Sequence, residues 1–279
     1  MHLSNAPVSW GIFYADNPRV SPGVYLDEVA RAGYWGTELG PYGFLPSDPV
    51  VLAEELARRN LHLVGGVHVH AFSDPLGAPA LLTQLRAAGS LLHSLGVGHY
   101  VVMDDGQPDG DNSLDDDQWR HMVRLLEDGR KLLADEFGVT LSFHPHVLTA
   151  IEFEAQIDRL LDESDIALCF DTGHHAFWGQ DPLAYMAKVW DRIAYMHLKN
   201  VDGTVRQRVL DGTLDAAASF DAGAMCPLPD GVVDIAAIVR MLRERDFSGP
   251  VVVEQDFSSV ATSSPFDLSV RNAKFLRSI

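Results

Sequence analysis

Short apolar runs alternate with longer amphipathic stretches over almost the whole chain. A short apolar run bounded by turn residues is typical of a buried strand, whereas apolar positions three or four residues apart indicate a helix packed on a core. The pattern predicts eight strands, at residues 6–13, 36–39, 62–69, 99–103, 139–143, 166–170, 193–198 and 251–254. A helix is predicted after each strand, at residues 23–32, 48–59, 78–94, 113–136, 152–162, 182–189, 234–245 and 266–276.

Eight strand-and-helix units in one chain of 279 residues favour a closed (β/α)8 TIM barrel of the α/β class. The alternative is an open, doubly wound sheet, which usually carries a glycine-rich phosphate turn after its first strand. The turn here reads Ser9-Trp10-Gly11-Ile12 and lacks that pattern. Because no linker or low-complexity segment divides the sequence, we expect a single barrel domain over residues 1–279.

One connection, residues 200–231, is much longer than the others and lies between the predicted seventh strand and its helix. In a barrel, the connections that leave the strands in this direction lie on the face that carries the active site. Connections of this length are uncommon and usually functional, so we expect this segment to act as a lid.

The composition excludes several classes of protein. Apolar residues make up 47% and charged residues 22%, as in an ordinary globular chain. No apolar run reaches the ~20 residues that span a bilayer, and the N-terminus lacks the features of a secretory signal. Two widely separated cysteines, Cys169 and Cys226, cannot form a disulfide framework, which favours the cytoplasm. The net charge of −18 disfavours nucleic acid and membrane surfaces as partners. The sequence leaves open whether the chain forms a homo-oligomer.

Titratable residues gather where the predicted strands end, which is where barrel active sites lie. In chain order these ends carry Glu38, His68, His70, His144, His146, Asp171, His174, His197, Lys199 and Glu254, with Glu152 shortly after the fifth strand. Buried charges are costly unless they are paired or bound to a metal, so we expect Glu152, Asp171, His197 and Glu254 to converge on one divalent cation. Mixed carboxylate and imidazole ligands suit Mn²⁺, Co²⁺, Fe²⁺ or Zn²⁺ better than copper or an iron–sulfur cluster.

Two of these residues also have simpler interpretations. An aspartate directly after a strand often caps the next helix, so Asp171 fits an N-cap as well as a metal ligand. His68 fits a packing position as well as a substrate contact. Four such residues on neighbouring predicted strands nevertheless favour the metal site.

Several stretches resemble a known superfamily of metal-dependent barrels. Asp171-Thr172-Gly173-His174, His197-Leu198-Lys199 and the glutamate that ends the eighth strand resemble the xylose-isomerase-like sugar isomerases and epimerases, a group that also includes endonuclease IV. Residues 5–11, 36–43, 144–146, 229–234 and 253–256 are more specifically similar to the inosose (2-keto-myo-inositol) dehydratases. The resemblance therefore extends over nearly the whole chain.

The resemblance implies three metal ligands, Asp171, His197 and Glu254, and a substrate contact at His174. It also implies one bound divalent cation. Mn²⁺ or Co²⁺ is the expected metal, and Zn²⁺, Fe²⁺ and Mg²⁺ are the alternatives.

The fourth ligand is less directly implied. Many members of the superfamily carry a glutamate inside the fifth strand, where this chain has Ser142. We expect Glu152 to take its place. Because Leu148 stands where the dehydratases often have glycine, His144 and His146 stay open as alternative ligands.

The implied reaction is the dehydration of a cyclic polyhydroxy ketone, catalysed by a hydro-lyase. A base removes the proton α to the carbonyl, the cation stabilises the resulting enolate, and an acid protonates the departing hydroxyl. The alternatives are a sugar or sugar-phosphate isomerase or epimerase on the same metal, a 3-dehydroshikimate-type dehydratase, and a sugar-binding barrel without activity. In each case the expected partner is a small polyol or ketose.

Further side chains at the strand ends are expected to serve this chemistry. The candidates for proton transfer are His70, His146 and His174, and Lys199 is expected to supply a fixed positive charge. The expected substrate contacts are Trp10, Glu38, His68 and His144. His146 is favoured over His68 for proton transfer, because it begins the loop that leads towards Glu152.

Overall fold

The computed structural model describes residues 2–72, 74, 76–105, 113–256 and 263–279. Its strands are β1 (Leu3–Asn5), β2 (Gly36–Glu38), β3 (His62–Gly65), β4 (Val67–His70), β5 (His99–Asp104), β6 (Thr140–Phe143), β7 (Ala167–Asp171), β8 (Ile193–Leu198), β9 (Asn200–Val201), β10 (Met225–Cys226) and β11 (Val251–Val253). Its helices are α1 (Pro22–Ala32), α2 (Pro49–Ala57), α3 (Ala78–Ser94), α4 (Asp116–Phe137), α5 (Glu154–Glu163), α6 (Thr172–Phe177), α7 (Pro182–Lys188), α8 (Gly203–Leu210), α9 (Ala216–Asp221), α10 (Ile235–Glu244) and α11 (Pro265–Ser278).

A parallel sheet closes on itself as a barrel. Its strands follow one another in the order β3-β2-β1-β11-β8-β7-β6-β5-β4. The two end strands, β3 and β4, are consecutive pieces of one chain segment that is interrupted only at Gly66. The Gly66 carbonyl still accepts a hydrogen bond from the Val101 amide at 2.8 Å, which continues the ladder. The ring therefore has eight strand positions, and the predicted (β/α)8 barrel is confirmed.

Two apolar layers follow from the alternation of side chains along the strands. Along β8, Met196 and Leu198 belong to the large core between the strands and the helices. Tyr195 lies on the opposite face, in a small cluster inside the barrel that also contains Cys169 and Val252. Side chains that share this second parity and lie further along their strands face the mouth of the barrel.

The first strand lies earlier in the chain than residues 6–13, where it was predicted. β1 ends at Asn5, and a 3-10 helix follows over Pro7–Trp10. Proline has no backbone N–H to donate to a ladder, but its fixed φ suits the first turn of a helix. Gly11, with a φ of 70°, ends this turn. Trp10 and Ile12 of the segment are buried in the large core, whereas Phe13 is exposed.

Most helices agree closely with the amphipathic pattern, and α3 occupies the predicted residues 78–94. The six-residue helix α6 was not predicted, because so short a segment shows little periodicity. Within the part of the chain that the structure describes, no helix combines the length and apolar character needed to cross a bilayer.

The long connection after β8 is folded. It contains the antiparallel pair β9 and β10 and the helices α8 and α9. The buried side chain of Asn200 donates to the carbonyls of Leu228, at 2.7 Å, and Val233, at 3.1 Å. Its oxygen accepts from the amides of Val201, at 2.9 Å, and Val233, at 2.8 Å. These bonds hold the two ends of the segment together. The expected role of the segment as a lid stays a prediction.

Candidate metal centre and active site

Four side chains meet inside the mouth of the barrel. The register of β7 and β8 places Asp171 beside His197, and β11 places Glu254 two residues beyond Val252, the partner of His197. His144 directly follows β6. One ligand atom from each of His144, Asp171, His197 and Glu254 lies within 4.8 Å of the others, and all four residues are buried. We call these four residues the candidate metal cluster.

Three buried atoms of the candidate metal cluster have no hydrogen-bond partner among the described residues. They are Asp171 Oδ2, His144 Nδ1 and His197 Nδ1. A buried polar atom without a partner is costly, and a cation between these atoms would remove that cost. Two carboxylates and two imidazoles form a donor set that suits Zn²⁺, Co²⁺, Fe²⁺ or Mn²⁺. The side chains present therefore fit a divalent metal ion.

Asp171 combines the two functions that its sequence position suggested. Its Oδ1 atom accepts hydrogen bonds from the amides of Gly173, at 2.7 Å, and His174, at 2.8 Å, and thereby caps α6. Its Oδ2 atom is left free for a cation. Burial raises the pKa of Asp171 to about 6, although Lys199 acts in the opposite direction. The N-cap and the metal ligand are thus not alternatives, because a carboxylate has two oxygens.

The structure does not bring Glu152 into the candidate metal cluster; His144 occupies the position that was predicted for it. The Oε2 atom of Glu152 accepts from the Leu148 amide at 2.9 Å and from Trp178 Nε1 at 2.7 Å. Leu148 has a left-handed φ of 64°, the conformation that glycine adopts most easily. This turn directs Glu152 towards the backbone of its own loop. In the described residues it belongs to no group of three potential metal ligands.

Lys199 places an ammonium group against the same carboxylates. Its Nζ lies 3.0 Å from Glu254 Oε2 and 3.6 Å from Asp171 Oδ2. It also contacts Asp256, at 3.1 Å, and His174 Nε2, at 2.8 Å. Burial lowers the pKa of Lys199, but Asp256 and Glu254 outweigh it and the net shift is upward, so the group is charged. Asp256 was not among the predicted site residues; its place directly after the eighth strand was the available signal.

Two histidines beside the cluster have opposite hydrogen-bonding capacity. His146 Nδ1 lies 2.7 Å from the Val147 carbonyl, which can only accept, so Nδ1 carries the proton and Nε2 is a free acceptor. His174 Nε2 faces the Lys199 ammonium, which can only donate, so the proton of His174 lies on Nδ1. The ring centroids are 3.7 Å apart. Burial and the Lys199 charge lower the pKa of His146 to about 4, so the ring is neutral at pH 7.

Glu38 lies beneath the cluster instead of in the open mouth, where a substrate hydroxyl was expected to meet it. It is 1% exposed, and its Oε1 atom lies 2.9 Å from His197 Nε2. The same oxygen accepts a hydrogen bond from the Tyr195 hydroxyl at 2.8 Å. Tyr195 was not predicted as a site residue, although its parity with His197 along β8 was a usable signal.

Three other predicted residues are not brought to the candidate metal cluster. Trp10 is buried, and its Nε1 donates to Glu28 on α1 at 2.6 Å, so its only side-chain donor is already engaged. His68 and His70 lie on β4 with ring centroids 6.2 Å apart. Among the described residues neither belongs to a group of three potential ligands. Burial and the neighbouring His70 lower the pKa of His68 to about 4.

Comparison with known proteins gives relatives that match nearly the whole chain. The chain is 30% identical to an inosose dehydratase of Lacticaseibacillus casei, over 99% of this chain and 96% of the relative. It is 28% identical to inosose dehydratase 1 of Bacillus cereus, over 99% of this chain and 96% of the relative.

Solved structures show the same fold. The probable 3-DHS dehydratase AsbF of Bacillus anthracis superposes with a TM-score of 0.75 at 17% identity, over 99% of both chains. The IOLI protein, solved with a bound zinc atom, gives a TM-score of 0.75 at 16% identity, over 99% of this chain and 96% of that one. A family model described as a xylose isomerase-like TIM barrel matches residues 26–279. The chain belongs to the xylose isomerase-like TIM barrel family.

Proposed function

We propose that this protein is a metal-dependent hydro-lyase that removes water from 2-keto-myo-inositol. The observation that carries the proposal is the candidate metal cluster with two complementary histidines, in a chain whose full-length relatives are named inosose dehydratases. The cluster supports a cation, and the two neighbouring histidines support proton transfer to and from a bound ketone.

The proposed ligands are His144, Asp171, His197 and Glu254, and the proposed metal is Mn²⁺ or Co²⁺, with Zn²⁺ and Fe²⁺ as alternatives. Imidazole ligands make Mg²⁺ the least suitable of the expected ions. When bound, the cation would act as a Lewis acid on the carbonyl oxygen and lower the energy of the enolate.

His146 is the proposed base. Its Nε2 lone pair is held free by the bond between Nδ1 and the Val147 carbonyl. This nitrogen accepts the proton α to the carbonyl while the C–H bonding electrons enter the enolate. A ring that is neutral at pH 7 is in the correct state for this step.

His174 and Lys199 are proposed to assist the departure of the β-hydroxyl. The Nδ1–H of His174 is buried and has no partner among the described residues, so it can donate to that oxygen. As the C–O bond breaks, the hydroxyl takes the Nδ1 proton and leaves as water. The Lys199 ammonium gives a proton to Nε2 across 2.8 Å as the Nδ1 proton leaves. After the water has departed, Nε2 returns its proton to Lys199 and solvent carries the proton on His146 to Nδ1 of His174, which restores both groups. The net change is the loss of one water molecule.

The test is turnover of 2-keto-myo-inositol by protein that has been stripped of metal and then reloaded with Mn²⁺, Co²⁺, Zn²⁺ or Mg²⁺. We expect ultraviolet absorbance from the dione product with Mn²⁺ or Co²⁺, and solvent deuterium at the α-carbon of recovered substrate. The stripped protein and the Asp171→Asn variant serve as controls and should be inactive.

Each alternative has its own result. If ketohexoses are interconverted while inosose is untouched, the protein is an isomerase or epimerase and the proposal is wrong. If 3-dehydroshikimate alone is dehydrated, the reaction class stands but the substrate is wrong. Sugar binding without turnover under any metal would leave only a binding barrel.

A further inference from the structure

A single carboxylate oxygen beneath the candidate metal cluster serves two donors. Oε1 of Glu38 lies 2.8 Å from the Tyr195 hydroxyl and 2.9 Å from His197 Nε2. All three side chains are almost completely buried. A buried carboxylate without partners is costly, and these two hydrogen bonds offset that cost.

The backbone of the barrel is arranged to bring these groups together. The register of β2 and β3 shifts between Thr37 and Glu38, which places Glu38 opposite Gly65. A side chain on Gly65 would begin 2.8 Å from the Tyr195 hydroxyl and 2.9 Å from its ring, so glycine leaves the space that Tyr195 fills. Thr37 donates its hydroxyl to the Glu38 carbonyl at 2.9 Å and holds the backbone at this point.

The contact with Glu38 decides which nitrogen of His197 faces the cluster. A carboxylate can only accept, so Nε2 of His197 carries a proton, and Nδ1 is the nitrogen that can offer a lone pair to a cation. That Nδ1 atom lies 3.3 Å from Glu254 Oε2 and 3.9 Å from Asp171 Oδ2, and no described residue satisfies it by a hydrogen bond. The ring is thus turned with its free nitrogen towards the two carboxylates of the cluster.

We infer that Glu38 is a positioning residue, which with Tyr195 holds His197 in the tautomer and orientation that bind the cation. A histidine that ligates a metal generally donates its other N–H to such a partner, and loss of the partner lowers metal affinity ~10- to 100-fold. The inference rests on the proposed function only through its metal site, because Glu38 has no part in the proposed proton transfers.

The experiment compares Co²⁺ and Zn²⁺ dissociation constants, measured by competition with a chromophoric chelator, for three variants. Glu38→Gln keeps the shape but loses the charge, and Tyr195→Phe removes one of the two donors. Glu28→Gln is the matched control, since that carboxylate also accepts from a buried aromatic donor, Trp10 Nε1, but lies outside the cluster. The visible spectrum of the Co²⁺ form reports ligand geometry independently of activity.

We expect Glu38→Gln to weaken Co²⁺ binding ~10- to 100-fold and to alter the Co²⁺ spectrum. Tyr195→Phe should weaken Co²⁺ binding by a smaller factor. Glu28→Gln should leave both the affinity and the spectrum unchanged. Co²⁺ affinity and spectrum in Glu38→Gln equal to those of the unmodified protein would overturn the inference. If Glu38→Gln does not fold, Tyr195→Phe decides: a weaker affinity at an unchanged melting temperature supports the inference, and an unchanged affinity opposes it. Because no substrate is used, a protein that binds Co²⁺ as expected but leaves inosose unchanged would refute only the proposed function.

Discussion

Two parts of the barrel mouth carry histidines at strand ends, but the surroundings of these histidines differ. The candidate metal cluster contains His144 and His197 together with two carboxylates, all within 4.8 Å. On β4, His68 and His70 also lie near a strand end, but their nearest ring contacts are each other and Phe72. Asp104 of β5 lies beside His70 in register, but its two oxygens accept the backbone amides of Phe72, at 3.1 Å, and Ala150, at 3.0 Å. The two regions therefore differ in whether the carboxylate beside a strand-end histidine keeps an oxygen free of hydrogen bonds.

The largest expected difference between the two regions is in metal binding. Asp171→Asn should lose most of the bound metal and lower kcat/KM by about 10³-fold or more, the equivalent of several kcal/mol of Lewis-acid stabilisation. The fold should survive, because asparagine caps a helix as well as aspartate does. The measurement is metal content by mass spectrometry with circular dichroism beside it. His68→Ala is the comparison and should retain its metal; equal losses in both would contradict the difference between the regions.

The proposed fourth ligand, His144, gives the next largest expected effect. His144→Ala should weaken metal binding more than ~100-fold, since loss of a ligand should exceed loss of a residue that only supports one. Glu152→Gln should bind metal normally, because its Oε2 atom is occupied by Leu148 and Trp178. It should instead lower the free energy of unfolding by about 1–2 kcal/mol through weakened hydrogen bonds. Chelator competition and urea unfolding separate these outcomes, and metal loss in Glu152→Gln alone would restore the sequence prediction.

Proton transfer should also distinguish the two regions. His146→Ala should lower kcat by ~10²-fold or more, the usual scale for a lost general acid or base, with metal content unchanged. His68→Ala should change kcat by less than about tenfold. The ionisable side chain that acts on the pKa of His68 is another histidine, His70, and not a carboxylate that would help the ring to transfer a proton. Steady-state kinetics on the reloaded enzyme measure both. Small and equal effects would remove His146 from the mechanism and leave His174 or His70 as the base.

Much of the architecture could be predicted from the sequence, because periodicity is a local property. The bounds of β8 and α3 agree with the pattern, since both are long enough to show it. The first strand could not be located in this way: Trp10 and Ile12 are as apolar as strand residues, yet Pro7 diverts the chain into a 3-10 turn.

The site residues likewise fall into those that the sequence could indicate and those that it could not. Asp171, His197 and Glu254 could be proposed together because each lies at or near the end of a strand, and strand ends meet in a barrel. The choice between His144 and Glu152 depends on a left-handed backbone angle at Leu148. Such an angle is expected from sequence only where the residue is glycine, so it could not be predicted at a leucine. The place of Glu38 depends on a register shift between β2 and β3, a property of two strands and not of either sequence alone.

The smallest expected effect concerns His175, which lies four residues after Asp171 but outside the candidate metal cluster. Its ring stacks on Tyr185 at a centroid distance of 4.9 Å, and its Nε2 lies 3.2 Å from Glu154 Oε1. Burial lowers the pKa of His175 to about 4, against an opposing effect of Asp181. A buried histidine of this kind should affect the stability of the fold and not the binding of the cation.

The sign of the effect follows from proton linkage. The unfolded histidine has a pKa of about 6.5, above the folded value, so the unfolded state takes up a proton first as the pH falls. His175 therefore costs stability progressively between pH ~6.5 and ~4, and nothing further below that range. His175→Phe removes this contribution. The difference in unfolding free energy between the variant and the unmodified protein should move by about 1–2 kcal/mol in favour of the variant between pH 7.5 and pH 5. Urea unfolding of metal-free protein at both pH values measures it, since packing changes cancel between the two. Parallel pH dependences would show that His175 takes up its proton alike in the folded and unfolded states. A changed Co²⁺ affinity at pH 7.5 would place His175 within the metal site.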